Sequence, residues 1–168
     1  SAGTGLLAIH AELAGTGLSL NEVADTRLAL LRHLFNGASV TGHDAAQIHD
    51  RLEASQVPSC IVMNPPFSAA LGVETRVADA AFRHIASALT RLADGGRLVA
   101  ITGSSCAPDH AAWRDSFIRL QEKSRVVFTG PIAGSIYASH GTTFDTRLTV
   151  IDKVPAEDPG VFPQSHEM

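Results

Sequence analysis

Ser1-Ala2-Gly3-Thr4-Gly5-Leu6-Leu7-Ala8 opens the chain as a glycine-rich loop running into an apolar helical stretch that continues through Leu13. Leu18-Ser19-Leu20-Asn21-Glu22 follows and reads as a short strand ending in an acid. Loop, helix, strand and terminal acid make one half of a nucleotide-binding fold. Glycines at 3 and 5 permit a tight turn and close backbone approach, the helix N-terminus offers free N–H groups, and Glu22 is placed to accept from two ribose hydroxyls. Val40-Thr41-Gly42-His43-Asp44 repeats the pattern of strand then acid, and Asp44 suits the exocyclic amine of an adenine ring. The loop also fits the dinucleotide pattern Gly-x-Gly-x-x-Gly/Ala, so by itself it leaves the kind of nucleotide open.

Outward from that half, helix and strand alternate. Leu28, Leu31 and Leu34 or Phe35 recur at helical spacing from Ala24 to Phe35, with Asn36-Gly37 as the stop. Val77, Ala81, Ile85, Ala88, Leu89 and Leu92 mark one face of a long helix ending at Asp94-Gly95-Gly96, and Arg97 to Thr102 follows as a strand. Pro108-Asp109 is expected to open a helix presenting Trp113, Phe117 and Leu120. Arg125 to Thr129 and Thr143 to Asp152 read as strands, and the Gly- and Ser-rich segment between them shows no helical period. Having no crossover helix, the last two strands are expected to pair antiparallel. The pattern predicts an α/β fold, a Rossmann-like doubly wound sheet that is mostly parallel with a reversed strand near the C-terminus, and a ligand at the carboxyl ends of the strands. Residues 1–152 form the expected domain; residues 153–168, with Pro155, Pro159 and Pro163, read as a linker or tail.

The chemistry is carried by Asn64-Pro65-Pro66-Phe67, set directly behind the apolar run Cys60-Ile61-Val62-Met63. Two consecutive prolines remove two backbone donors, so the segment cannot continue a ladder and presents its carbonyls and the Asn64 amide outward. An exocyclic amine conjugated to a ring or carbonyl is a poor nucleophile. Acceptance of its N–H groups by the Asn64 side-chain oxygen and the Pro65 carbonyl would favour a tetrahedral nitrogen and stabilise the positive charge that develops during attack. Phe67 would clamp the substrate plane. A nicotinamide enzyme has no use for this segment, and the sole tyrosine, Tyr137, has no lysine four residues on.

Gly-rich loop, Glu22, Asp44 and Asn64-Pro65-Pro66-Phe67, in that order, resemble the class I S-adenosylmethionine-dependent methyltransferases, in the amino-methyltransferase branch. The order resembles that of gamma-type DNA adenine-N6 enzymes and is similar to methylase modules attached to strawberry-notch-like helicases of phages and plasmids. The resemblance covers most of the chain. It implies S-adenosyl-L-methionine as cofactor, with Ser1, Gly3 and Gly5 at its methionine part, Glu22 at its ribose and Asp44 at its adenine. Asn64, Pro65, Pro66 and Phe67 would hold the target amine. It also implies a first strand ahead of the glycine loop; none precedes Ser1, so the sequence reads as a piece of a longer chain. The same acceptor geometry serves a guanine amine in ribosomal RNA or a protein glutamine, and a non-catalytic methyltransferase-like module of a helicase-like protein is the reading of another class.

Composition bounds the partners. The chain has 168 residues, a length suited to one core, and a formal net charge of −4. A mildly acidic domain does not grip nucleic acid tightly by phosphate neutralisation, so a nucleic-acid substrate, DNA foremost, is expected to be recruited by another domain. No apolar stretch approaches the roughly 18 residues of a membrane span, and the reading is cytoplasmic. Cys60 and Cys106 are too isolated for a disulfide framework or zinc site, and His33, His43 and His49 match no metal spacing. Gly103-Ser104-Ser105-Cys106 lacks the spacing of a nucleophile elbow and reads as a loop lining the pocket.

Overall fold

The computed structural model describes residues 2–65 and 78–166, without the side chains of residues 78, 79 and 140. Ser1, Pro66 and Phe67 lie outside the described residues. In chain order the elements are α1 (Leu6–Leu13), β1 (Ser19–Asn21), α2 (Asp25–Leu34), β2 (Ser39–Thr41), a 3-10 turn (Ala45–Gln47) running into α3 (Ile48–Arg51), and β3 (Cys60–Met63). Then come α4 (Ala78–Arg91), β4 (Arg97–Gly103), α5 (Arg114–Gln121), β5 (Arg125–Ile132), a 3-10 helix (Gly134–His140) and β6 (Thr146–Asp152).

The α/β class is as expected, with the strands in two sheets. β1 and β2 form a parallel pair, in register Leu20 with Val40. The larger sheet has the order β3-β4-β6-β5. β3 and β4 are parallel, and β6 is the reversed strand, antiparallel to both neighbours. The β4–β6 register is clamped at one end by a two-pronged Arg97–Asp152 ion pair at 2.7 and 2.9 Å. Pro131 is tolerated in β5 because that strand lies at the sheet edge.

Two hydrophobic clusters hold these layers. The larger joins Ile85, Leu89 and Leu92 of α4 to Leu98, Phe117, Val126 and Ile151, all buried. The apolar face read from α4 is therefore the buried one. Phe82 stacks on Trp113 and meets the Phe117 ring edge-on, at centroid separations of 5.9 and 5.3 Å. The smaller cluster sits beneath β1 and β2 and consists of Ala8, Leu20, Leu31 and Phe35.

Two sequence expectations are corrected, and one element goes unread in the sequence. The helix expected from Pro108 begins only at Arg114, because the preceding segment is taken up by turns on His110, whose carbonyl accepts from both Trp113 and Arg114. Gly134–His140 is a 3-10 helix rather than an irregular connection, and its three-residue repeat is invisible to a search for a 3.6 period. Ala45–Arg51, passed over in the sequence, starts from Asp44, whose Oδ1 accepts from the Ala46 amide at 2.9 Å. Residues after Lys153 form no helix or strand, yet they lie against the domain. Gln121 Nε2 donates to the Pro159 and Val161 carbonyls at 2.9 Å each, and Phe162 packs edge-on against Phe117.

Candidate active site

The carboxyl ends of β1, β2 and β3 meet around one cavity of about 520 Å³, inside the size range of small-molecule sites. Gly3, Glu22, Asp44, Asn64 and Pro65, singled out from sequence in four separate segments, all line it. The fold therefore brings the described halves of the proposed cofactor and acceptor sites to a common space.

Glu22 is fully buried at the end of β1. Its Oε2 accepts from the Gly3 amide at 2.9 Å, and its Oε1 accepts from the Ala24 amide at 3.1 Å and from Arg27 Nη2 at 2.8 Å. Burial alone would push this carboxyl's pKa up; the hydrogen bonds from Ala24, Arg27 and Gly3 outweigh it and hold the pKa below the ordinary value. A carboxylate offers about four acceptor positions and three are used here, so capacity for a ligand hydroxyl remains.

Asn21, unnoticed in the sequence reading, buttons β1 to the loop after β2. Its Oδ1 accepts from Thr41 Oγ1 and the His43 amide, and its Nδ2 donates to the His43 carbonyl, each at 2.9 Å. That lock fixes the approach to Asp44, which is exposed at the cavity rim. His84 of α4 was also missed. It lines the cavity with its side chain 13% exposed, and its Nε2 lies 4.0 Å from Asp44 Oδ1. Burial pushes its pKa down while Asp44 pulls the other way, so neutral imidazole is favoured. A lone histidine within a helical apolar pattern carries no signal in sequence that it faces a cavity.

Asn64 is exposed at the end of β3, and Pro65 is buried beside it. Gly5 does not line the cavity. It has φ +90° and its Cα faces Phe35 and Leu31, which gives this glycine a packing reason of its own. The Gly103–Cys106 segment expected to line the pocket does not. Cys106 and Ala107 turn back through bonds to the Gly103 and Ser105 carbonyls, and Cys106 is buried in the larger cluster. Tyr137 bonds Thr146 Oγ1 at 3.2 Å, away from the cavity.

Comparison with known proteins agrees with this architecture. Residues 1–125 match the methyltransferase small domain family. TrmN from Thermus thermophilus superposes with a TM-score of 0.64 at 16% identity, over 92% of this chain and 42% of TrmN. SMU.1697c from Streptococcus mutans, solved in complex with SAH, gives 0.56 at 15% identity over 90% and 85%. The type I restriction enzyme EcoKI M protein gives 0.64 at 15% identity, covering 83% of this chain and 31% of its own. The chain thus spans less than half the length of two of these three relatives. No curated protein sequence matches it. The fold is one that methyltransferase structures share. The chain belongs to the methyltransferase small domain family.

Proposed function

We propose that this domain transfers a methyl group from S-adenosylmethionine to an exocyclic amine of a nucleic-acid base, adenine N6 of DNA. The carrying observation is that Asn64 and Pro65 line the same cavity as Gly3 and Glu22. In the reaction the amine nitrogen bonds the methyl carbon as the carbon–sulfur bond breaks, the sulfonium electron pair returns to sulfur, and the amine releases a proton. The Asn64 side-chain oxygen and the Pro65 carbonyl accept the two N–H groups as positive charge builds on nitrogen. Glu22 would hold the ribose, Asp44 the adenine and the Gly3 loop the methionine part of the donor; Ser1, Pro66 and Phe67 complete the assignment outside the described residues.

DNA is favoured by the motif order. The net charge of −4 argues that another domain, such as a helicase-like partner, brings the substrate. It would also help supply the cost of unstacking the base, a few kcal/mol.

The test is radiolabelled methyl transfer to duplex DNA, single-stranded DNA, ribosomal RNA and protein, with the native protein and Asn64→Ala. Asn64→Ala is expected to lower turnover by about 10²–10³-fold while leaving SAH affinity unchanged. Unchanged turnover in that variant would sink the acceptor mechanism, and label on RNA guanine or protein glutamine instead of DNA adenine would replace the substrate.

A further inference from the structure

Arg147 of β6 is a buried cation without a counter-ion. The residue is only 9% exposed, and no carboxylate lies within ion-pair distance of it among the described residues. Asp145, the acid nearest in sequence, accepts from the Gly134 amide at 2.7 Å instead. Buried charges are ordinarily paired, because neutral hydrogen bonds alone do not offset removal from water.

The guanidinium is nevertheless held in one orientation. Nε donates to the Ser104 carbonyl at 3.2 Å, and Nη1 donates to Thr129 Oγ1 at 2.9 Å and to Ser165 Oγ at 3.1 Å. Nη2 has no partner among the described residues and is not buried, so two N–H groups of a fixed fork reach the surface. Ser165 stands beside them, steadied by the next residue, His166, whose amide donates to the Thr129 carbonyl at 3.0 Å. Because the Ser165 oxygen accepts from Nη1, its own O–H is free to donate outward. A fixed cationic fork and a hydroxyl donor, with no acid in reach, suit a tetrahedral oxyanion.

The position of this pair relates it to the active site. Arg147 is opposite Thr102 of β4 and Pro131 of β5, near the carboxyl ends of both strands. Asn64 follows Met63, which is opposite Ala100 of β4. Two strand spacings and one residue of rise therefore separate the Asn64 and Arg147 backbones, roughly 10 Å. A nucleotide covers such a distance from base edge to backbone.

We propose that Arg147 and Ser165 form a seat for one backbone phosphate of the strand whose base is methylated. The inference rests on the nucleic-acid substrate proposed above and extends it to the substrate's backbone. One phosphate oxygen accepts from Arg147 Nη2 and another from the Ser165 hydroxyl, so the buried cation gains its counter-ion when substrate binds. Phosphate contacts fix register and carry no sequence information, so this seat sets how far the target base reaches toward Asn64. A single placed cation is compatible with a net charge of −4, because no basic surface is required.

The probe is a single-stranded oligodeoxynucleotide with one adenine, titrated in the presence of SAH over a range of salt. One phosphate contact on a single strand contributes about 0.7 to the slope of log affinity against log salt, and Arg147→Gln is expected to lower the slope by that amount. Ser165→Glu, at an exposed position, sets a carboxylate on the guanidinium and is expected to do the same. Gln164→Glu, the same charge one residue away, is expected to keep the native slope. Neutral methylphosphonates placed at each phosphate in turn leave the protein untouched. At one position near the adenine they are expected to weaken the native chain about tenfold or more and to leave Arg147→Gln and Ser165→Glu unaffected. Equal slopes in the native chain and these two variants, or a series with no sensitive position, would overturn the proposal. So would variants that lose slope yet keep the native sensitive position, because Arg147 would then act through the fold alone. Failure of the proposed substrate has a different signature: no strand binding at low salt while methyl passes to protein would remove the substrate and the seat together, whereas strand binding with equal slopes would remove the seat alone.

Discussion

On the Glu22 carboxylate, donors from the Gly3 loop, the Ala24 amide and Arg27 converge at the end of β1. Arg27 is half exposed, so its ion pair counts for less than the two backbone donors, which the chain itself holds in place. Glu22→Gln keeps one acceptor and turns an amide toward at least one of these donors. Its expected cost is about 1.5–3 kcal/mol, the range for a hydrogen bond to a charged group, measured by urea unfolding at neutral pH. The pH dependence has a definite sign. Because the folded pKa lies below the ordinary value of 4.5, the contribution is complete above that value and fades as pH falls through the folded pKa. Native stability should therefore drop on acidification below about pH 4.5 more steeply than that of the glutamine variant. Parallel acid limbs would show that the carboxylate is not held by these bonds in solution.

The entry to α1 separates two glycines that look alike in sequence. Both have positive φ, +60° at Gly3 and +90° at Gly5. A Cβ at Gly3 would meet nothing within 4 Å, whereas one at Gly5 would lie 2.5 Å from Phe35 Cε2 and 3.0 Å from Leu31 Cδ2. Gly3→Ala should thus cost only the left-handed backbone penalty of about 1–2 kcal/mol. Gly5→Ala adds overpacking of the smaller cluster, for about 2–4 kcal/mol in all. Comparable unfolding midpoints for the two variants would refute the packing role of Gly5. The same contrast explains what could be read without a structure. Periodicity located α2, α4 and the buried face of α4, and the strand-then-acid pattern located Glu22 and Asp44. What escaped were features without a long period or a local signature. The 3-10 helix Gly134–His140 repeats every three residues, Asn21 acts through a loop reached 22 residues later, and His84 is drawn into the cavity by the packing of α4.

At the scale of the molecule, the two clusters are unequal and the cavity lies on their seam. Gly3, Glu22 and Asp44 come from the side built on Leu20, Leu31 and Phe35, and Asn64, Pro65 and His84 from the side built on Ile85, Phe117 and Ile151. The smaller side rests on a pair of three-residue strands, a unit with little independent stability. The larger side has a four-stranded sheet and is further covered by the segment after Lys153, where the Ser165 hydroxyl accepts from Arg147 Nη1 at 3.1 Å and the His166 ring stacks on Phe128. Local opening should therefore be uneven. Without ligand, backbone amides of residues 2–41 are expected to exchange with deuterium faster than those of β4, β5 and β6. A ligand in the cavity bridges both sides, so SAH at a hundred times its dissociation constant should add about 2.7 kcal/mol and slow exchange most in residues 2–41, the Gly3 and Ala24 amides above all. Exchange that is uniform before SAH, or SAH protection confined to β3 and α4, would mean that the donor site is not shared across the seam.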